Sequence, residues 1–213
     1  MAADLVFHFD FISPYAYLAW TQIHALAARH GRGVQPVPTL LAPLLAHGGT
    51  KGPAEIPAKR AYLVLDTVRI AQHLGVPFAP PASHPFNPLL ALRVATLEAG
   101  VIGALYTAAW ARGEAIDSEA AVARVLDAAG FAGGDLVARA AQPEVKARLR
   151  AQTEAAIARG VFGVPTVFAG DDLFWGVDSL PHLERHLRGE RIDAAAVTKA
   201  WAAVPASASR SQR

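Results

Sequence analysis

The chain contains no cysteine. That excludes disulfides, zinc sites built on thiolates and a thiol nucleophile belonging to the protein itself. Any thiol chemistry must use a thiol supplied by a cofactor. Long apolar runs are also missing, and none reaches the roughly 20 residues that span a bilayer. Met1-Ala2-Ala3-Asp4 lacks the basic stretch and apolar core of a signal peptide, so a cytoplasmic location is expected. Charge of one sign is scarce: the formal net charge is +2. With no Lys/Arg-rich stripe interleaved with aromatics, neither a nucleic acid nor a membrane is an expected partner. There is no internal repeat, glycine-rich phosphate loop, pair of catalytic carboxylates or Gly-x-Ser-x-Gly elbow. His182 and His186 have a metal-ligand spacing, but no third ligand lies nearby, and they read as surface histidines with no metal.

What is present is an apolar chain long enough for one elaborated domain. Its 213 residues are 53% hydrophobic and 18% charged, enough for a sizeable core and too apolar for disorder over most of the length. Leu5 to Asp10 alternates, with Leu5, Phe7 and Phe9 on one side, and reads as a strand. Ser13-Pro14 then opens a helix running to about His30, with Ser13 as N-cap and Pro14 at the first helical position. Tyr15, Tyr17 and Trp20 form a stripe on it that mostly serves packing. Val34 to Thr39 is a second strand, and Pro36 and Pro38 place it at an edge or a strand end. Leu40 to Pro57 is a loop region with at most a short helix.

Helical patterns follow over 58–74, 88–99, 102–112 and 118–129. Gly75, Gly100, Gly113 and Gly130 sit just past the ends, where a left-handed cap is wanted. Another helix runs from about Pro143 to Arg159 and stops at Gly160. Thr166–Ala169 and Leu173–Trp175 form a hairpin around Gly170-Asp171-Asp172. Asp178-Ser179 caps a last helix, 180–187, and the chain from Pro205 reads as a disordered tail.

The order β-α-β, a block of helices, then α-β-β-α is that of an α/β thioredoxin-like domain with an all-helical insertion. Residues 1–40 with 144–203 are expected to form the thioredoxin-like domain, 41–143 the insertion and 204–213 the tail. Ser13-Pro14-Tyr15-Ala16 stands where thiol oxidoreductases of this fold carry Cys-x-x-Cys. Gly163-Val164-Pro165-Thr166 puts a proline directly before a strand. In such folds this proline is cis, faces the helix N-terminus and leaves the preceding backbone free for an extended peptide.

Five blocks in order carry a wider resemblance: Phe9-Asp10-Phe11-Ile12-Ser13-Pro14-Tyr15, the stretch Glu55 to Tyr62, Phe86-Asn87-Pro88-Leu89, Gly163-Val164-Pro165-Thr166, and the stretch Phe174 to Leu180. With them the chain resembles 2-hydroxychromene-2-carboxylate isomerases, relatives of kappa-class glutathione transferases and of bacterial disulfide oxidoreductases with a helical insert. The resemblance implies glutathione as cofactor, a small aromatic substrate, a homodimer and a place in the degradation of naphthalene-like aromatics. Two rivals stay open: a kappa-like transferase, and a non-catalytic thioredoxin-like module that holds extended peptides.

The implied site has Ser13 activating the glutathione sulfur rather than acting as a covalent nucleophile. A helix N-terminus favours an anion, and a hydroxyl donor adds to it, so a thiol of reference pKa about 8.5 should ionise more readily. The alternative is that Ser13 is a helix cap alone. Val164 before Pro165 would bind the cysteinyl backbone. Asp178 suits the γ-glutamyl ammonium and Ser179 its carboxylate, both also reading as caps. Trp175, Gly176 and Val177 lie beside them, Trp175 being site or core. Lys59 is either a partner of the glycyl carboxylate, or an orienter of its loop, or a solvated helix start. Where the family has Asn-Lys for the substrate carboxylate, this chain has Thr50-Lys51. Tyr15 is placed to line an aromatic substrate. The chain also reads Ala79-Pro80-Pro81 where many relatives carry an aromatic after Pro77-Phe78.

Without a cysteine, the protein should not reduce insulin disulfides when no thiol is added. Turnover in a turbidity assay run without thiol would overturn that reading.

Overall fold

The computed structural model describes residues 4–191 and 194–205. From residue 206 onward the expected tail lies outside the described residues. β1 (Leu5–Phe9) is the strand its alternation predicts, but both of its faces are covered. On one face Phe7 and Phe9 pack on Trp20, with ring centroids 5.9 and 6.3 Å apart. On the other, His8 meets the Thr39 hydroxyl at 3.0 Å and stands edge-on to Phe168. α1 (Pro14–Arg29) starts as expected: the Ser13 side chain accepts from the Ala16 N–H, and Pro14 is in the first turn.

β2 (Val34–Pro38) pairs parallel to β1, β3 (Thr166–Ala169) pairs antiparallel to β1, and β4 (Asp172–Trp175) antiparallel to β3. The sheet order is β2-β1-β3-β4. β2 is thus an edge strand, the place where prolines without an N–H are tolerated. Between β2 and β3 come α2 (Leu41–His47), α3 (Pro57–Leu74), α4 (Leu89–Leu97), α5 (Ile102–Tyr106), α6 (Glu119–Ala128), α7 (Gly133–Ala140) and α8 (Pro143–Ala158). α9 (Leu180–Leu187) and α10 (Ala194–Ala202) follow the hairpin. This is the α/β thioredoxin-like arrangement with a helical insertion. Among the described residues no helix is long and apolar enough to cross a membrane.

Five local expectations need correction. The helix over 180–187 is not the last, since α10 follows it. Residues 131–142 carry α7, which the glycine pair Gly133-Gly134 concealed. Its buried Leu136, Val137 and Ala140, spaced one and then three residues apart, were the signal. The helix expected over 102–112 breaks into α5 and a π-helical turn, Thr107–Ala111. Gly100 is not a left-handed cap. It lies in a 3-10 turn (Ala99–Val101), and its N–H donates to the Glu98 carboxylate at 2.9 Å. Nor do Asp178 and Ser179 cap α9 with their side chains. They lie in a 3-10 turn, Val177–Ser179, and the Ser179 hydroxyl donates back to the Gly176 carbonyl at 2.8 Å. Gly75, Gly113, Gly130 and Gly160 do take positive φ.

The main core is continuous from the sheet into the inserted helices. Phe11 meets Tyr106 of α5 with centroids 4.8 Å apart, and both side chains are fully buried. α7 packs on α6 at Gly133, where a β-carbon would collide with the Ala123 carbonyl oxygen. Gly134, one residue on, faces open space. Gly133→Ala should therefore cost about 1–3 kcal/mol through overpacking. Gly134→Ala should be neutral, or stabilising by up to about 1 kcal/mol. Urea denaturation of the two variants checks this, and equal effects would refute the close packing of α6 on α7.

Candidate functional site

The turn from Asp10 to Ser13 links β1 to α1 and belongs to neither. All three of its carbonyls, and the Ile12 and Ser13 N–H groups, have partners. The Ser13 N–H donates to the Asp10 carbonyl at 3.1 Å, and the Tyr106 hydroxyl reaches the same carbonyl at 3.4 Å. The Phe11 carbonyl accepts from the Trp110 indole at 2.7 Å, and the Ile12 carbonyl contacts His84 Nε2 at 3.0 Å. The Asp10 carboxylate accepts from the Ile12 N–H at 3.1 Å and from the Leu41 N–H at 2.9 Å. The π turn belongs to this arrangement. Its extra residue aims Trp110 at the Phe11 carbonyl, while the Trp110 carbonyl accepts from the Ala79 N–H at 2.7 Å.

Ser13 is buried, and its hydroxyl makes two contacts. It accepts from the Ala16 N–H at 3.2 Å and donates to the Val164 carbonyl at 3.4 Å. It is thus an N-cap and also the point where α1 meets the Val164-Pro165 segment. The Val164–Pro165 bond is cis, as the fold resemblance implies, and so is His84–Pro85. Among the described residues the Val164 N–H has no hydrogen-bond partner. On the far side of Pro165, its carbonyl accepts from the Gly176 N–H at 2.9 Å.

Gly176 has φ +90°, and the Asp178 carboxylate lies over it where a β-carbon would stand. Trp175 is 52% exposed and therefore not core. Its indole nitrogen lies over Gly163, 2.7 Å from where a β-carbon would sit, and its ring meets Phe162. Val177 is buried, and Asp178 is exposed.

The Tyr15 hydroxyl donates to Asp66 Oδ2 on α3 at 2.8 Å. Burial, then the Asp66 hydrogen bond and charge, then Tyr62 and Asp178, raise the Tyr15 pKa, so the phenol keeps its proton. Asp178 is thus within electrostatic reach of the start of α1. The structure brings Ser13, Tyr15, Val164, Pro165, Trp175, Gly176, Val177, Asp178 and Ser179 into one connected region. Among the described residues no hydrogen bond or ion pair joins Thr50, Lys51 or Lys59 to them. All three are exposed, and Thr50 donates to the Leu45 carbonyl through its N–H at 2.9 Å and its hydroxyl at 3.5 Å. His182 is exposed, and His186 lies edge-on to Phe174.

Sequence reasoning missed Asp10, Asp66, His84, Tyr106 and Trp110. Asp10 had one signal, a carboxylate inside an apolar block (Phe9-Asp10-Phe11), which must be paired if buried. It is 1% exposed, and burial pushes its pKa up to about 7, against the pull of the Leu41 and Ile12 N–H groups. Burial also raises Tyr106 and lowers His84, the latter helped by Arg60 and opposed by its own bond to Ile12.

A family model described as the DSBA-like thioredoxin domain matches residues 4–188. A 2-hydroxychromene-2-carboxylate isomerase of Pseudomonas sp. (strain C18) is 34% identical over 196 residues, covering 88% of this chain and 91% of that protein. A glutathione S-transferase kappa 2 of Caenorhabditis elegans is 31% identical over 198 residues, covering 83% and 88%. The solved structure of a 2-hydroxychromene-2-carboxylate isomerase superposes with TM-score 0.79 at 28% identity, covering 94% of this chain and 99% of that one. The chain belongs to the DSBA-like thioredoxin-domain family and, within it, to the 2-hydroxychromene-2-carboxylate isomerase family with its kappa-class glutathione transferase relatives.

The raised Asp10 pKa has a consequence for stability. A carboxyl that holds its proton more tightly when folded favours folding at low pH, and that contribution is lost as pH rises toward about 7. Asp10→Asn has no such proton. Its stability relative to the wild type should therefore improve by about 2–3 kcal/mol between about pH 5 and about pH 8. Urea denaturation at both pH values measures the difference, and a constant difference would show that Asp10 titrates normally.

Proposed function

We propose that this protein is a glutathione-dependent cis–trans isomerase of 2-hydroxychromene-2-carboxylate or a related intermediate of naphthalene-like aromatic degradation. The observation that carries the reading is the Ser13 hydroxyl. It is buried at the N-terminus of α1, 3.4 Å from the carbonyl that precedes cis-Pro165, in a chain with no thiol of its own. The surroundings fit a peptide-like thiol. Val164 offers an unpartnered N–H, and its carbonyl is held by one long bond that is easily exchanged. Gly163 and Gly176 let the Trp175 indole and the Asp178 carboxylate lie directly against the adjoining backbone.

Bound glutathione would supply a thiolate able to add reversibly to an electrophilic carbon of the substrate, the chemistry a cis–trans isomerisation needs. The chain's residues bind and orient. Ser13 turns its hydroxyl from Val164 to the sulfur, and the positive end of α1 supports the same charge. Val164 pairs with the cysteinyl backbone in strand fashion. Asp178 takes the γ-glutamyl ammonium. Ser179 and the backbone at the start of α9 take the γ-glutamyl carboxylate, and the Ser179 hydroxyl exchanges its Gly176 bond to do so. Trp175, Gly176 and Val177 form the wall between these contacts.

Lys59 serves the glycyl carboxylate. Thr50 and Lys51 serve the substrate carboxylate, and Tyr15, kept protonated, lines the aromatic side. The protein acts as a cytoplasmic homodimer in this reading. Exposed Tyr62, Val64, Leu65 and Val68 on α3 support the association. A kappa-like transferase remains the second reading, because a relative at 31% identity carries that name.

The first test is stoichiometric. An isomerase turns over with glutathione unchanged, whereas a transferase consumes it. A peptide-binding module would do neither and would leave the thiol pKa of glutathione unaltered. Ser13→Ala should raise the bound thiol pKa by roughly one to two units, since a hydrogen bond to a charged group contributes about 1.5–3 kcal/mol. Activity near neutral pH should fall about tenfold or more and recover as pH rises through the new pKa. Ultraviolet titration of the bound thiolate gives the shift. An unchanged value would leave Ser13 a helix cap only.

A further inference from the structure

The peptide unit between Ile12 and Ser13 is gripped at both ends. Its N–H donates to the Asp10 carbonyl at 3.1 Å, and its carbonyl contacts His84 Nε2 at 3.0 Å. A carbonyl can only accept, so His84 donates there. Burial and the nearby Arg60 charge keep the ring neutral, so its single proton sits on Nε2. His84 is itself held in place. Its carbonyl accepts from Arg60 Nη2 at 2.8 Å, and its ring stands edge-on to Trp110 with centroids 5.5 Å apart. Three elements therefore hold His84: the turn through Ile12 and the π turn through Trp110 at the ring, and α3 through Arg60 at the backbone.

We propose that His84 is a positioning residue for Ser13: by holding the plane of the Ile12–Ser13 peptide it sets the direction of the Ser13 hydroxyl. The proposal rests on the reading of Ser13 as the donor to a bound thiolate. The physical reason is geometric. The plane of that peptide sets φ of Ser13, and with it the point to which Oγ projects. A peptide held only at its N–H can tilt about that bond. A displacement of about 1 Å is enough to spoil donor geometry at a reacting atom. The neighbouring peptide is held twice as well, by the Asp10 carboxylate and Trp110, so the His84 contact controls the last free tilt before Ser13. Through Arg60, His84 also ties this tilt to α3, the helix that carries Lys59 and Asp66.

The test uses the full chain with glutathione bound. The thiol pKa is read by thiolate absorbance, and kcat and KM by isomerisation of the hydroxychromene carboxylate. His84→Ala should raise the bound thiol pKa by about one unit and lower kcat near neutral pH about tenfold, with KM for glutathione within about twofold. His84→Gln, whose side-chain N–H reaches where Nε2 does, should recover most of both. Should the alanine variant not fold, His84→Asn, whose amide is too short to reach Ile12, takes its place with the same expectation. A wild-type protein that leaves the thiol pKa unshifted overturns the Ser13 reading, and this proposal with it. A wild-type protein that lowers the pKa, with no change in the alanine variant or no recovery in the glutamine variant, overturns the positioning role alone.

Discussion

Three peptide groups between Asp10 and Ser13 belong to neither β1 nor α1, and, enclosed by the core, each needs a hydrogen-bond partner from elsewhere. A buried carbonyl or N–H left without one costs about 1–3 kcal/mol. Only the Ser13 N–H finds its partner within the turn's backbone. The Ile12 N–H and the three carbonyls find theirs in the Asp10 side chain, Tyr106, Trp110 and His84. Three of these side chains lie in the segment between β2 and α8, so that segment builds the turn as well as covering the sheet.

The same constraint accounts for a costly residue. Asp10 is a carboxylate in an apolar wall, and its raised pKa records that burial works against its charge. What it provides is two acceptors at one point, for Ile12 in the turn and Leu41 at the start of α2. A neutral residue with one acceptor leaves one of those N–H groups unpaired. Asp10 thereby joins the turn to the segment leading to Thr50 and Lys51. α3 closes a second loop of contacts, through Asp66 to Tyr15 and through Arg60 to His84. The turn is thus tied both to α2 and to α3. A local cost in stability maintained for geometry at a working site is a common arrangement in proteins.

Much of the fold was legible because it is local. β1 shows alternation, the start of α1 is a serine and proline in sequence, and the edge position of β2 follows from two prolines that have no N–H to give. Where the reading failed, two local rules competed. Gly133 and Gly134 read as a loop because glycine is a poor helix former. Gly133 is nevertheless the first residue of α7, since only a residue without a β-carbon can lie against the Ala123 carbonyl. Asp178 and Ser179 look like helix caps by type, but the backbone there is a 3-10 turn. Their side chains bend back toward Gly176 and leave the α9 N–H groups uncapped by side chains.

The sequence by itself determined that this protein has no thiol nucleophile, that a hydroxyl stands at the first helix where oxidoreductases carry cysteine, and that a proline precedes β3. These follow from composition and from residues adjacent in the chain, whose backbone geometry constrains them directly. Only the tertiary structure decided how Ser13 is held. The donors to its turn, at Leu41, His84, Tyr106 and Trp110, lie tens of residues beyond it in the chain. No periodicity or spacing marks them. Packing the inserted helices against the sheet selects which buried carbonyls each side chain must satisfy, and that selection is made across the core rather than along the chain.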